Sequence, residues 1–349
     1  MVAMKSSLLL AVAVVLWAPG DANGKDGPQA PNWDATLAMQ TANVPASQAG
    51  LEDLFALLRN DDLARLDERL EVLISGGSLS QPVRDSILFH FAVGLADFED
   101  VDEGIIQRLR AVEARVIVPH EERASVGVPL FNIAGAAEGV YQLGLSREAR
   151  AQALQIMDGP PDEWVDAYLL ASRAQRAGFA EALGEAQTQA LGGILAAALQ
   201  RLPSNTELTP IAGKSALLLT DEPALEQVAR HGSGSELAGI LDAAGRTLPA
   251  GDALALLHFA VAEAPATNAA LAIAQLYPRL ADEPEATALL FDALADDALG
   301  SAAALALAGF GDREARAGLQ RVAGDGENPA AARARNALEV EARRGGREQ

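Results

Sequence analysis

His120-Glu121-Glu122 is the residue order with which a zinc-hydrolase helix begins. Metal-assisted hydrolysis would need a second histidine four residues on, so that both imidazoles meet the ion from one helix face. Position 124 is Ala124, and the chain's 4 histidines lie well apart in sequence. The triplet therefore reads as a solvated helix start after Pro119. Gly213-Lys214-Ser215 has the types that close a phosphate-binding loop, which also requires a glycine five positions before Gly213 and a strand leading in. Leu208 stands there and Pro210 sits inside the would-be loop, so the triplet is expected to be a turn before a helix starting near Ser215. Gly76-Gly77-Ser78-Leu79-Ser80 has serine where a nucleophile elbow needs its final glycine, and it reads as a linker. Asp97, Glu99, Asp100, Asp102 and Glu103 crowd one connection. Taking Gly104 as the glycine of a calcium loop puts Val101 at the third ligand position, which breaks the required run of oxygens. His90 and His258 sit in apolar stretches beside phenylalanines and are expected to be core or interface histidines. No catalytic, cofactor-binding or metal-ligating residue is assigned, and no cofactor is implied.

With no assembled chemistry, the sequence speaks mainly of architecture. Residues 303–343 read as helix, turn, helix, turn, helix, each with a small or aliphatic stripe that needs a neighbour to cover it. Gly311 is expected to end one helix in the left-handed conformation, and Asp312 to cap the next, with Glu314 beside the positive end of its dipole. Ala315, Leu319 and Val322 share one face. Asn328-Pro329 is a cap followed by proline at the first helical position. This order of small residues, Gly-Asp, an alanine and leucine helix, then Asn-Pro before a helix ending Ala337-Leu338, resembles the HEAT-like repeats of the phycobilisome-lyase type. The resemblance implies a solenoid that binds other proteins, and no particular reaction.

In chain order, Met1–Ala22 has the layout of a secretory signal, with Lys5, an apolar run from Leu8 to Trp17, and the small residues Gly20 and Ala22. Spanning a bilayer takes roughly 20 apolar residues, more than this run supplies. Cleavage after Ala22 is expected, giving an exported chain free of the membrane, periplasmic in a Gram-negative cell and otherwise secreted. Residues 23–50, with Pro28, Pro31 and Pro45 and no apolar period, read as a flexible arm. Residues 51–343 read as one helical-repeat array and 344–349 as a disordered tail. Leu51, Leu54, Phe55 and Leu58, then Leu63, Leu66, Leu70 and Leu73, mark a first helical hairpin that Gly76 and Gly77 close. Ser146 is read as opening a helix, Pro160-Pro161 as opening another whose face holds Trp164, Tyr168 and Ala171, and the two Asp-Glu-Pro triplets at Asp221 and Asp282 as further starts. No alternation long enough for a sheet occurs.

Two internal echoes suggest a repeat length: Leu88–Val93 returns as Leu256–Val261, and Arg147–Ala151 as Arg313–Ala317, at offsets of 168 and 166 residues. Four units of about 42 would produce this offset; five of about 34 would as well, but the tetratricopeptide pattern of aromatic residues and glycine is missing. The 349-residue chain has no cysteine, is 50% hydrophobic and only 4% aromatic, so an all-α class held by packing rather than disulfides is expected. Its net charge of −21 argues against nucleic acid and anionic lipid as partners. Residues 126–309 carry 9 basic and 22 acidic residues, net −13; this acidity either serves to keep an exported chain soluble or, where a charged partner binds, favours a cationic protein or peptide. The expected function is thus an exported, non-catalytic scaffold, an α-solenoid of stacked antiparallel hairpins with a protein or peptide on its acidic surface. The alternative is an envelope-polysaccharide enzyme with carboxylates in a groove lined by Trp164 or Tyr168.

Overall fold

A computed structural model describes residues 30–345. The described residues divide into two compact units, one ending at Tyr141 and the other starting at Gln142, where the sequence suggests one array from 51 to 343. The first contains α1 (Ala35–Ala42), α2 (Pro45–Arg59), α3 (Leu63–Ser75), α4 (Gln81–Gly94), α5 (Glu103–Arg110), the strands β1 (Ile117–Pro119) and β2 (Gly127–Pro129), and the first part of α6 (Ile133–Gln155). The second takes the remainder of α6, then α7 (Pro161–Leu170), α8 (Arg173–Ala182), α9 (Thr188–Arg201), α10 (Thr209–Leu219), α11 (Glu222–His231) and α12 (Gly234–Thr247). It continues through α13 (Ala250–Glu263), α14 (Ala266–Leu280), α15 (Pro284–Ala293), α16 (Gly300–Phe310), α17 (Arg313–Gly324) and α18 (Pro329–Gly345).

Local chemistry sets the helix starts. Asp34, Asp62, Asp102, Asp221 and Asp312 each accept a hydrogen bond from the amide three residues on, filling one of the donors that a helix start leaves open. Proline occupies the first turn of α2, α4, α7, α10, α11 and α15, where its missing N–H costs nothing. Asn328 caps α18 by accepting from the Ala331 amide at 2.8 Å.

In the second unit, helices pack two apart as well as in sequence. α10 lies against α12, α12 against α14, α14 against α16 and α16 against α18, while α11 lies against α13 and α13 against α15. The first of these rows begins its helices at Thr209, Gly234, Ala266, Gly300 and Pro329, so successive members start 25 to 34 residues apart. That spacing replaces the 42 inferred from the echoes. The second echo in fact falls inside α6 and at the start of α17, two different places in a helix, so it marks no repeat. The first falls on two helices of equal length, α4 and α13, burying Leu88 and Leu256, Ala92 and Ala260 in turn. It leaves His90 and His258 exposed rather than in a core.

Other expectations change for physical reasons. Within the supposed arm, residues 35–42 and 45–50 are helical: Asp34 caps α1, and Ala38 and Ala42 bury against Val116, Val118 and Phe131. Pro45 there starts α2 instead of breaking it. A two-stranded antiparallel ladder pairs Val118 with Val128, and residues 120–126 are its connection, so no helix starts after Pro119. Ser146 and Ser215 lie inside α6 and α10 rather than at their starts. Gly311 ends α16 with φ of −60°, not in the left-handed conformation. Of the two Asp-Glu-Pro triplets, Asp221 caps its helix, whereas Glu283 holds the cap position of α15 without a side-chain bond. α18 runs on through Gly345 into the supposed tail. The signal at 1–22, residues 23–29 of the arm and residues 346–349 lie outside the described residues. No helix among the described residues is long and apolar enough to cross a membrane.

The first unit is organised around two adjacent buried charges in α4. Arg84 is 3% exposed and Asp85 0%, and they pair with each other. Arg84 Nε donates to the Leu73 carbonyl at 3.0 Å and its Nη2 to the Ile74 carbonyl at 3.1 Å, covering the last turn of α3. Asp85 Oδ2 accepts from the Arg115 and Val116 amides at 2.6 and 2.9 Å, fixing the chain as it enters β1. Such a pair is costly to break singly, because the survivor is left buried and charged. Arg84→Met or Asp85→Asn is expected to lower stability by about 3–5 kcal/mol in urea titration. Removing both leaves the backbone groups unpaired, so the double variant should not recover. Arg246→Met, which loses only an exposed pair with Asp242, should cost less than about 1 kcal/mol.

Candidate functional site

The concave feature with the clearest chemical character in the second unit lies between α15 and α17. These helices meet where the Phe291 ring rests on Gly318, so close that a Cβ there would come within 2.7 Å of the ring. Along their length they leave a groove of about 500 Å3. Ala288, Phe291, Ala315 and Val322 give it an apolar lining, Asp282, Asp312 and Glu314 supply three carboxylates, and Arg321 is its one cation. Asp312 is fixed by its cap, accepting from the Ala315 amide at 2.6 Å. Behind the lining, buried Tyr277 shares a hydrogen bond with Thr287 at 3.2 Å. Burial, helped by the Asp312 charge and opposed by the Thr287 bond, raises the Tyr277 phenol above its ordinary pKa.

The three carboxylates sit at the N-terminal ends of two helices, each of which contributes about half a positive charge. Three negatives against two halves and the Arg321 charge leave about one negative charge over the groove. The groove therefore keeps an acidic potential in spite of the dipoles that frame it.

Of the residue groups with possible chemistry, none is brought together with another. His120 Nδ1 accepts from the Glu122 amide within the β1–β2 connection. Gly213, Lys214 and Ser215 lie along α10, and Ser215 is fully buried, so its hydroxyl could reach no phosphate-bound ion. Gly76 and Gly77 end α3 with φ of 113° and 42°. Asp102 caps α5, and among the described residues no group of His, Asp and Glu is placed to hold a metal ion. His90 lines a second cavity of about 760 Å3 in the first unit, with Met39, Ser47, Leu51 and Ser86. Its ring is exposed on one side but rests near Phe89 and Phe131, and this partial desolvation lowers its pKa.

Trp164 and Tyr168 are core residues, 1% and 2% exposed, so they line no sugar-binding groove. Trp164 Nε1 donates to the Ala153 carbonyl at 3.2 Å, and the Tyr168 hydroxyl to Glu207 at 3.1 Å. The groove between α15 and α17 was not assembled from sequence, although its signal was present: Asp282 and Asp312 stand 30 positions apart, each just before a helix. No family model matches the chain, and neither a curated protein nor a solved structure matches it.

Burial pushes the Tyr168 phenol from an ordinary 10 to about 12, with Arg176 opposing and Glu236 and Glu207 adding to the rise. The unfolded chain therefore loses this proton first, and the contribution to stability is whole below pH 10 and lost as the pH rises to about 12. Tyr168→Phe should flatten the fall in stability across that window, read by urea titration at stepped alkaline pH.

Proposed function

We propose that the chain is an exported, non-catalytic helical-repeat protein that binds a cationic protein or peptide through an acidic surface. The finer architecture we infer for its second unit is an α-solenoid of HEAT-like hairpins. The contacts of α10, α12, α14, α16 and α18 in succession support this, each hairpin burying its apolar face on the next.

The observation that carries the functional reading is a row of carboxylates at successive helix starts. The first turns of α11, α13, α15 and α17 present Glu222, Asp252, Glu285 and Glu314. Basic residues offset few of these. Arg150, Arg176, Arg201, Arg230 and Arg246, five of the 9 basic residues in 126–309, already pair with Glu185, Glu207, Asp162 and Asp166, Glu263 and Asp242. A strip of first-turn carboxylates, with five of the nine basic residues of 126–309 already paired to other acids, attracts cationic chains at long range and repels phosphate backbones.

The full chain is expected to bind polylysine at low ionic strength and to release it as salt is raised, while polyglutamate and duplex DNA stay unbound. Titration with fluorescent polymers reads this. Failure to bind polylysine at low salt, or equal binding of polyglutamate, would overturn the proposal. Export is tested separately: expressed from its first residue in a bacterium, the chain should be recovered outside the cytoplasm with an intact mass starting at Asn23.

A further inference from the structure

Resting on that reading, we infer that the groove between α15 and α17 is a seat for one arginine side chain of an extended peptide partner. Its chemistry is split in the way that side chain is split. An arginine has an apolar stem that prefers to lie along hydrocarbon and a planar cation that prefers carboxylate oxygens. Here Phe291 and Val322 supply the hydrocarbon, and Asp282, Asp312 and Glu314 supply the oxygens. A neutral or acidic side chain would meet only half of what the groove offers.

The volume agrees. About 500 Å3 lies within the range of small-ligand clefts, enough for one long side chain and part of the backbone carrying it. The cap bond from the Ala315 amide holds Asp312 in place, so one wall of the seat is preorganised before the partner arrives. Arg321 lies farther along α17, where it would repel a second cation and set the direction of the peptide. The seat thus selects an isolated arginine with an apolar neighbour over a dense basic run.

The probe is a fluorescein-labelled peptide with one Leu-Arg-Leu segment in a glycine-serine background, titrated with the full chain and followed by anisotropy. Replacing its arginine with citrulline, which keeps the stem and the hydrogen-bonding shape but loses the charge, should weaken binding about fivefold. Asp282→Asn with Glu314→Gln, which spares the Asp312 cap, should weaken the arginine peptide by a similar factor. Ala288 is exposed and lines the groove, so Ala288→Trp should fill it and abolish binding without unfolding the chain, as circular dichroism would confirm. Equal binding of the arginine and citrulline peptides, or wild-type affinity in both groove variants, overturns the inference. If polylysine still binds in that case, the acidic-surface reading survives without this seat; if neither ligand binds at low salt, both fall.

Discussion

Every helix leaves its last carbonyl groups without partners, and in this chain a side chain from a later helix repeatedly supplies them. Arg84 in α4 covers Leu73 and Ile74 at the end of α3. Arg176 in α8 covers Tyr168 and Leu169 at the end of α7. Asn268 in α14 donates to Ala229 and Gly232 at the end of α11, and Arg333 in α18 to Leu294 just past α15. The last two reach back 39 residues each, so one bond ties α14 to α11, or α18 to α15, and fixes how far one helix slides along the other. Hydrophobic burial alone is non-directional and would tolerate such sliding. An arginine at the negative end of a helix dipole adds a favourable charge term to the bond it makes.

The opposite helix ends explain the charge of the surface. Aspartate and glutamate at a first turn stabilise the helix by roughly 0.3–1 kcal/mol, so Glu222, Asp252, Glu285 and Glu314 each have a local reason to be where they are. Because α11, α13, α15 and α17 form every second helix of the unit, the same local preference repeats and the acids accumulate. Arginines then gather at the carbonyl ends and are consumed there, as Arg176 and Arg333 are. Charge segregation is thus a by-product of how the helices are started and stopped, and a cationic partner would exploit it at no added cost to the fold.

This also decides what could be read from sequence. Signals confined to one helix start were legible: Asp312, Asn328-Pro329, Pro161 and the stripes of α2 and α3 stand where the residue types place them. Signals that depend on a distant neighbour were not. Arg84 and Asp85 look like surface residues in α4 until the end of α3 and the start of β1 arrive to take their bonds. α1 was hidden because its buried face consists of Ala38 and Ala42, too small to stand out against an alanine-rich background. The groove was missed likewise, since its two walls come from helices that only the packing brings side by side.

The glycine that made Gly213-Lys214-Ser215 look like a phosphate loop has a packing role instead. It lies inside α10, where glycine costs about 1 kcal/mol relative to alanine. A Cβ on it would fall 2.5 Å from the Ile240 side chain of α12, so the two helices can approach as they do only because none is present. Gly178 does the same in α8, where a Cβ would lie 1.9 Å from the Ser146 carbonyl oxygen of α6. Helices with small residues at their crossings come close enough for side chains of modest length, such as Asn268, to reach a neighbour's terminal carbonyls. In a chain built this way, glycines inside helices and histidines on their surfaces follow from the spacing between helices, and chemistry must be sought where helices part, as α15 and α17 do.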